Sequence, residues 1–384
     1  MRKIRVLQAN KLYYPVTGGI EKVVQDISEG FRDDEEIENQ VLVCQRKGRG
    51  NTEQVNGVTI IRCSSFGVVS SLPVSPEFLW KFRHLSMYHD IVHIHAPFPL
   101  GDLACLLSGY RGKVVVWWHS DIVRQKKLMK FYRPLMEWLL RRADAIVTAT
   151  EGNIEGSLYL GDYREKCHVI PFGIDQELMA HANSYLKSKL ERKAAGNGMK
   201  FLFAGRLVYY KGCDVLLRAF AGLKSATARL DIIGDGTMRQ ELEELSKKLG
   251  IEDSVEFLGE VSRRRLLESF SECDVFILPS VAPSEAFGIV QIEAMAYGKP
   301  VINTNLKSGV PYVSLNGCTG LTVEPGNVEQ LREAMRCMMD QPDLRRQFGI
   351  NAAVRARKVY SMDYMISQVK TLYRELFKDG TIDE

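Results

Sequence analysis

The 384-residue chain is longer than one hydrophobic core requires, and its length suits two domains of roughly 150 to 200 residues. Its 26% charged residues and formal net charge of +4 are those of an ordinary globular protein, so charge does not argue for nucleic acid as a partner. Eight scattered cysteines without a C-x-x-C pair indicate reduced thiols in a cytosolic compartment.

The beginning of the chain, MRKIRVLQAN, lacks the apolar region of a signal peptide, and no apolar run approaches the ~18 residues of a membrane span. We therefore expect a cytoplasmic protein whose membrane association, where it has any, is peripheral and on the inner face.

The first half of the chain alternates short Val- and Ile-rich runs with amphipathic segments. The predicted strands are IRVLQA, QVLVC, VTIIR, DIVHIH, KVVVWWH, DAIVTAT and CHVIP. Strands that alternate with helices indicate a parallel sheet covered on both faces.

A second series of strands follows the linker VIPFGID. It comprises KFLFAG, RLDIIG, SVEFLG, DVFILPS, KPVINT and GLTV, and a 3.6-residue apolar period over SMDYMISQVKTLYRELF predicts a closing helix. The fold class is therefore α/β, with two doubly wound domains. We place one domain at residues 1–171 plus 360–384 and the other at 172–359.

The loop after the first strand, YYPVTGGIEKVV, carries Gly18 and Gly19 at a predicted helix start. Glycine permits positive φ and close approach of a ligand to the backbone, which favours a loop that acts as a lid over a ligand, and a plain turn is the alternative. The loop is not the G-x-G-x-x-G that a nicotinamide-dependent oxidoreductase requires.

Two histidine-containing stretches end strands in the first half. HIHAPFP puts His93 and His95 on one face of a strand, but no third ligand is apparent nearby, so we predict no metal site. VVVWWHSD places His119 and Asp121 at the sheet edge, where Asp121 would orient an acceptor hydroxyl or take its proton. A structural histidine is the alternative for His119.

Residues 124–144, RQKKLMKFYRPLMEWLLRRAD, combine seven Lys/Arg with apolar and aromatic side chains. This pattern fits a peripheral patch against anionic lipid. It fits equally a helix with a core-facing apolar side and an ordinary basic surface. No stacking or zinc signature supports nucleic acid.

In the second half, FAGRLVYYKG places Arg206 and Lys211 after a strand and before a helix. Doubly wound sheets bind ligands at the carboxyl ends of their strands, and a helix N-terminus favours anions. Two cations there suit a diphosphate, whereas an isolated pair of this kind is usually solvated surface. The next strand ends at Gly234, in a turn that is weak evidence for phosphate by itself.

The stretch SEAFGIVQIEAMAYGKPVI carries Glu285 and Glu293, with a helix predicted from about Phe287. Eight helical residues separate two side chains by about 12 Å, which is too far for a shared acid/base pair. Two carboxylates that address two parts of one extended ligand fit better, although two solvated glutamates are the simpler alternative.

Taken together, GRLVYYKG and the E-x7-E of SEAFGIVQIEA strongly resemble the family-four retaining glycosyltransferases of the GT-B fold. The resemblance covers essentially the whole chain. It implies two Rossmann-like domains facing a cleft, with the C-terminal helix closing back on the N-terminal domain. It also implies that the domain at 1–171 plus 360–384 lies on the acceptor side and that the domain at 172–359 holds the nucleotide-sugar donor.

The resemblance also implies residue roles. Arg206 and Lys211 would clamp the donor diphosphate, Glu285 would contact the transferred sugar, and Glu293 would hold the ribose. The remaining implied contacts are to sugar, phosphate or base, and they involve His119, Gly18, Gly19, Gly234, Val261 and the backbone of Phe287, Gly288 and Ile289. No D-x-D is present, so no metal or other cofactor is expected.

NLKSGVPYVSLNGCTGLTVEPGN resembles the mannosyl/rhamnosyl branch seen in bacterial surface-polysaccharide assembly, although Tyr312 stands where such sequences often carry Trp. GDP-mannose is therefore the expected donor, with a UDP-sugar as the alternative, and the acceptor would be a glycan or lipid-linked glycan. A nucleotide-sugar epimerase would need further acid/base groups. A non-catalytic sugar-nucleotide-binding module would not require Glu285.

Overall fold

The computed structural model describes residues 2–16, 18–69, 72–122, 126–191 and 198–379. The strands are β1 (Ile4–Ala9), β2 (Ile37–Cys44), β3 (Asn51–Val55), β4 (Val58–Cys63), β5 (Val68–Val69), β6 (Leu72–Pro73), β7 (Ile91–Ala96), β8 (Lys113–Trp118), β9 (Ala145–Thr148), β10 (Cys167–Val169), β11 (Met199–Ala204), β12 (Ala228–Ile233), β13 (Val255–Gly259), β14 (Val275–Ile277), β15 (Val301–Thr304) and β16 (Gly320–Val323).

The helices follow the amphipathic segments between these strands. They are α1 (Gly19–Gly30), α2 (Pro76–Ser86), α3 (Pro99–Ser108), α4 (Lys126–Arg142), α5 (Glu151–Glu155), α6 (Gln176–Glu191), α7 (Cys213–Ala221), α8 (Arg239–Lys248), α9 (Arg263–Glu272), α10 (Ile289–Ala296), α11 (Val310–Val313), α12 (Val328–Asp340), α13 (Pro342–Val359) and α14 (Met362–Asp379). Among the described residues, no helix combines the length and the apolar character needed to cross a bilayer.

The chain divides into two compact units. Unit 1 contains Met1–Ala149, Ser157–Gly173 and Met362–Glu384, and unit 2 contains Thr150–Gly156 and Ile174–Ser361. The sequence-based division lies two residues from the unit bounds near 173 and near 361, and it did not assign residues 150–156 to the second unit.

Each unit is a doubly wound α/β structure, which confirms the predicted fold class. In the described part of unit 1 the strand order is β10-β9-β8-β7-β1-β2-β4-β3, parallel except for β3, and in unit 2 the order β13-β12-β11-β14-β15-β16 is parallel throughout. Every predicted strand run contains one of these strands. β3 and the short β5–β6 pair were not predicted.

The strand order fixes where a ligand site can lie in each unit. Successive strands diverge to opposite sides of β1 and β7 in unit 1, and of β11 and β14 in unit 2. The loops that follow the carboxyl ends of such neighbouring strands splay apart and leave a crevice. Ligand-binding residues are therefore expected after β1 and β7 in unit 1, and after β11 and β14 in unit 2.

The C-terminal helix α14 belongs to unit 1, as predicted. Tyr373 on its inner face is fully buried, with its ring centroid 5.8 Å from that of Phe31. Burying an aromatic side chain of the size of Tyr373 contributes about 1.5 to 3 kcal/mol to stability. Lys370, on the same helix, forms an ion pair with Asp34 at 2.7 Å. The end of the chain is thus part of the first unit's core.

Candidate active site

The loop after β11 in unit 2 carries both predicted cations. Arg206 is exposed, and its guanidinium donates to the Tyr210 hydroxyl at 3.2 Å. Lys211 is only 9% exposed and ends a single 3₁₀ turn, Tyr209–Lys211. Gly212 then caps α7 with φ +67°. A Cβ at Gly212 would lie 2.1 Å from the carbonyl oxygen of Pro279, so a glycine lets the loops after β11 and β14 approach each other.

This approach brings Lys211 and Glu285 together. The Lys211 Nζ lies 2.5 Å from the Glu285 Oε2, and both side chains are about nine-tenths buried. The Ser280 hydroxyl donates to the same carboxylate oxygen at 3.1 Å, and the Ser280 carbonyl accepts from the Thr304 hydroxyl at 2.7 Å. The separate roles of Lys211 on phosphate and Glu285 on sugar stay predictions. The geometry adds that the two side chains form an ion pair with each other.

The N-terminus of α10 lies directly after Glu285. The helix begins at Ile289, two residues later than predicted, because Gly288 has φ +74° and acts as its N-cap. The Phe287 side chain is buried, with its ring centroid 6.1 Å from that of Tyr360. Phe287 therefore belongs to the core through its side chain, and its backbone is the part that remains for a ligand contact.

Glu293 lies one turn further along α10. Its Oε1 accepts from the Arg263 guanidinium at 3.1 Å, and the same guanidinium lies 4.0 Å from a carboxylate oxygen of Asp175. Arg263 opens α9, two residues after Val261. Because Arg263 pairs with the predicted ribose-binding carboxylate, it joins the candidate nucleoside end of the site.

Gly234 holds two loops of unit 2 against each other. It has φ +121°, and a Cβ there would lie 2.1 Å from the Gly205 carbonyl oxygen. Its N–H donates to the carbonyl of Gly259 at 2.8 Å, so this donor is already used within the protein. Close backbone packing therefore explains the glycine at position 234, and its contact with the donor stays a prediction.

The glycine pair in unit 1 does not use the left-handed conformations that the sequence suggested. Gly18 is extended, with φ −173°, and it caps α1, whereas Gly19 is the first residue of that helix. Neither is among the residues with positive φ. Any lid role of this loop stays a prediction.

The two histidines of β7 and the histidine that follows β8 form one buried cluster. His95 Nδ1 lies 3.0 Å from His119 Nε2, His95 Nε2 lies 2.9 Å from Gln8 Oε1, and His93 Nδ1 lies 2.6 Å from the Tyr373 hydroxyl. The rings of His93 and His95 stack with centroids 4.7 Å apart. Burial lowers the pKa of His93 and of His119 to about 3, so both imidazoles are neutral at pH 7.

Asp121 is engaged in local structure. Its carboxylate accepts from the Trp118 indole N–H at 2.9 Å, from the Ser157 hydroxyl at 2.7 Å and from the Leu158 N–H at 2.8 Å. Three donors on one carboxylate fasten the loop after β8 to the segment that begins at Ser157. These contacts give the Asp121 carboxylate a structural role within unit 1, and the predicted orientation of an acceptor hydroxyl stays a prediction. The proton transfer suggested from sequence stays a prediction.

Some residues of these clusters were not found from the sequence. Ser280 and Arg263 were passed over because a serine at a strand end and an arginine in an R-R-R run are common on surfaces. Gln8 and Tyr373 are 365 positions apart and meet through the fold alone. The available signal for Gln8 was a polar residue near the carboxyl end of the central strand IRVLQA, whose other polar residue, Arg5, lies near its start.

Two doubly wound units, one of which carries an arginine, a lysine and a paired glutamate at its switch point, define the GT-B class of glycosyltransferases. Solved structures agree in fold. Sucrose-phosphate synthase from Thermosynechococcus elongatus matches with a TM-score of 0.76 and 20% identity, over 98% of this chain and 100% of that one. Anabaena Alr3699/HepE in complex with UDP matches with a TM-score of 0.75 and 21% identity, over 97% and 100%.

Sequence comparison identifies the family. Residues 17–178 match Glycosyltransferase Family 4, and residues 187–355 match Glycosyl transferases group 1. D-rhamnosyltransferase WbpZ of Pseudomonas aeruginosa is 34% identical over 93% of this chain and 92% of its own length. O-antigen chain mannosyltransferase C of Escherichia coli is 30% identical over 98% and 99%. The chain belongs to the family-four glycosyltransferases, and it is a sugar-transferring enzyme.

Proposed function

We propose that the protein transfers a manno-configured hexose from a GDP-sugar, GDP-mannose in the first place, to a glycan or lipid-linked glycan acceptor of a bacterial O-antigen-type polysaccharide, with retention of anomeric configuration. The observation that carries the proposal is the buried Lys211–Glu285 pair beside the exposed Arg206, at the switch point of unit 2 and between the N-termini of α7 and α10.

The chemistry of sugar transfer matches this set of charges. When the sugar–phosphate bond breaks, the nucleotide diphosphate gains negative charge and the anomeric carbon becomes positive. Arg206, Lys211 and the helix N-termini stabilise the leaving diphosphate, so the proposed reaction needs no metal. A diphosphate that reaches Lys211 competes with Glu285 for the ammonium. The released carboxylate then orients the sugar hydroxyls and stabilises the cationic centre.

The choice of sugar rests on the relatives. One is named for D-rhamnose and the other for mannose, and these sugars share the manno configuration and differ at C6, where rhamnose carries a methyl group. The O-antigen in the second name supplies the acceptor class. A donor site for either sugar must therefore read the same ring hydroxyls.

The test is a transfer assay with purified protein, a lipid-linked O-antigen oligosaccharide and one donor at a time. The donors are GDP-mannose, GDP-D-rhamnose and UDP-glucose, each with and without EDTA. We expect transfer from a GDP-sugar that survives EDTA, and NMR of the product should show the anomeric configuration of the donor. Transfer from UDP-glucose alone, or a product with inverted configuration, would contradict the proposal.

We also propose peripheral contact with anionic membrane through the α4 region, predicted at 124–144, of which 124 and 125 lie outside the described residues. The core-facing alternative holds for part of the helix, since Met136, Leu139 and Leu140 are buried. Phe131, however, is 88% exposed beside the exposed Lys130. This pairing of an aromatic and a basic side chain is typical of an interfacial helix.

Sedimentation with vesicles tests the membrane proposal. We expect the protein to pellet with vesicles of phosphatidylglycerol and phosphatidylethanolamine, and less with phosphatidylcholine alone. Phe131→Ser together with Lys130→Gln should reduce the bound fraction several-fold. Changes of the same kind at an exposed apolar and basic pair elsewhere, Ile350→Ser with Arg346→Gln, provide the control. Equal binding of both variants would contradict the proposal.

A further inference from the structure

A chain of hydrogen bonds connects the C-terminal helix to His119. In order, it contains the Tyr373 hydroxyl, the Gln8 side chain, the two ring nitrogens of His95, and Nε2 of His119. The distances are 2.9 Å from Tyr373 to Gln8, 2.9 Å from Gln8 to His95, and 3.0 Å from His95 to His119. His93 branches from the Tyr373 hydroxyl at 2.6 Å.

These hydrogen-bonded side chains lie in the interior of unit 1, and His119 is the most exposed of them. Gln8, His93, His95 and Tyr373 are fully buried, and His119 retains 9% exposure. Gln8 and His93 are paired in the neighbouring strands β1 and β7, at the switch point of unit 1. Internal hydrogen bonds make the geometry of a buried polar network specific, and His93 Nε2 is the atom of this network that is buried without a partner in the described part of the protein.

The Gln8 amide gives the chain its direction. Its Nε2 donates to Tyr373, so its Oε1 is the acceptor for His95, and His95 therefore carries its proton on Nε2. A neutral imidazole has one donor and one acceptor, so His95 Nδ1 is an acceptor. His119 must then donate through its Nε2–H. The remaining nitrogen of His119, Nδ1, is left without a proton.

Charge does not disturb this assignment. Burial lowers the pKa of His95 well below its ordinary value, and the pKa of His119 falls to about 3. Both rings are therefore neutral in the range where the enzyme would work, and each keeps one donor and one acceptor.

We propose that Gln8, His95 and Tyr373 are positioning residues that hold His119 as its Nε2–H tautomer, so that Nδ1 accepts a hydrogen bond from a hydroxyl group of the sugar. The assignment of a sugar as ligand rests on the proposed function. An acceptor nitrogen on a neutral ring repels phosphate oxygens and carbonyls, so it selects the hydroxyl-bearing part of a nucleotide sugar rather than its diphosphate.

The tautomer is measurable by ¹⁵N NMR of histidine side chains in the full-length protein, with the signals assigned from a His119→Gln variant. At pH 7 we expect His119 to show a protonated Nε2 and an unprotonated Nδ1. The opposite tautomer, or an imidazolium, would overturn the proposal. This readout needs neither ligand nor turnover, so failure of the proposed function leaves it interpretable.

Two substitutions of Gln8 test the chain itself. Gln8→Met removes both hydrogen bonds at similar volume, and we expect His119 to become a mixture of tautomers. Gln8→Glu supplies carboxylate oxygens that accept from His95, so the wild-type tautomer should persist. A matched control is Gln25→Met on α1, because the Gln25 amide donates a hydrogen bond to Glu29 and takes no part in the Tyr373–His119 network. An unchanged tautomer in Gln8→Met would show that the chain does not set it.

Ligand titration tests the hydroxyl contact. We expect GDP-mannose to move the His119 Nδ1 signal in the direction of an accepted hydrogen bond, and GDP without the sugar to leave it in place. In Gln8→Met, the KM for GDP-mannose should rise about tenfold while the affinity for GDP is unchanged. A Nδ1 shift produced equally by GDP would assign His119 to the nucleotide and contradict the sugar contact.

Discussion

The buried ion pair between Lys211 and Glu285 gives a prediction in which stability and binding separate. Lys211→Met leaves the Glu285 carboxylate in a site where its side chain is 10% exposed, with the Ser280 hydroxyl as its remaining partner. Removing one partner of a buried pair costs about 3 to 5 kcal/mol, because the other charge stays without compensation. Glu285→Gln should cost a similar amount, since it strands the Lys211 ammonium.

The double variant Lys211→Met/Glu285→Gln has no buried charge at this position. We expect its stability to lie within about 1 kcal/mol of the wild type, since uncharged groups of similar volume often replace a buried pair without loss. All three variants should lose affinity for a GDP-sugar. The double variant would therefore be folded and unable to bind the donor.

Native-state hydrogen exchange is the suitable assay. The four tryptophans, Trp80, Trp117, Trp118 and Trp138, all lie in unit 1, so fluorescence does not follow unit 2. In either single variant, amides of α7 and α10 should exchange roughly 100-fold faster, which corresponds to about 3 kcal/mol. If the double variant loses the sum of the two single losses, the side chains do not interact and the reasoning is refuted.

Three further predictions follow from single residues. Arg206→Ala should weaken GDP binding about 10- to 100-fold by calorimetry without changing unfolding, and Arg218→Ala, exposed on α7, should leave binding as it is. Gly288→Ala should lower the unfolding free energy by more than the ~1 to 2 kcal/mol that a left-handed alanine costs, because its Cβ would lie 2.5 Å from a leucine methyl. The control Gly326→Ala, with φ +77° and open space around it, should show only the conformational cost. Equal losses in the two variants would contradict this prediction. The folded-state pKa of His93 is lowered to about 3, so the contribution of the neutral imidazole to stability is lost as pH falls below ~6.5. Between pH 7.5 and 5, His93→Phe should therefore lose about 2 kcal/mol less unfolding free energy than the wild type. Equal losses in the two proteins would contradict the assignment.

The sequence was sufficient for the fold because hydrophobic periodicity and strand length are local signals. The run IRVLQA and the other apolar runs each contain a strand in the structure. β3, with the sequence NTEQV, carries one apolar residue and pairs at an exposed sheet edge, so it has no apolar pattern to detect. Helix α10 begins at Ile289 and not at the predicted Phe287, because the conformation of Gly288 depends on its packing within unit 2, against Leu278.

The candidate site could be predicted only in part, because the pairing of its side chains depends on contacts between distant parts of the sequence. Arg206 and Lys211 were predicted together after one strand and Glu285 separately after another, since each lies near a strand end in the sequence. Their pairing depends on the contact between the loops after β11 and β14, which Gly212 permits. The hydrogen bonds from Tyr373 to His119 join residues from both ends of the sequence, and no local sequence pattern specifies them.

The most direct test of the central claim is calorimetric titration of GDP, UDP and GDP-mannose, in EDTA, into the wild type and into Lys211→Met/Glu285→Gln. A GDP-mannose site built from Arg206, Lys211 and Glu285 predicts tight binding of GDP and GDP-mannose without metal, weaker binding of UDP, and loss of all binding in a folded double variant. Nucleotide binding that requires metal, or that persists in the double variant, would contradict it.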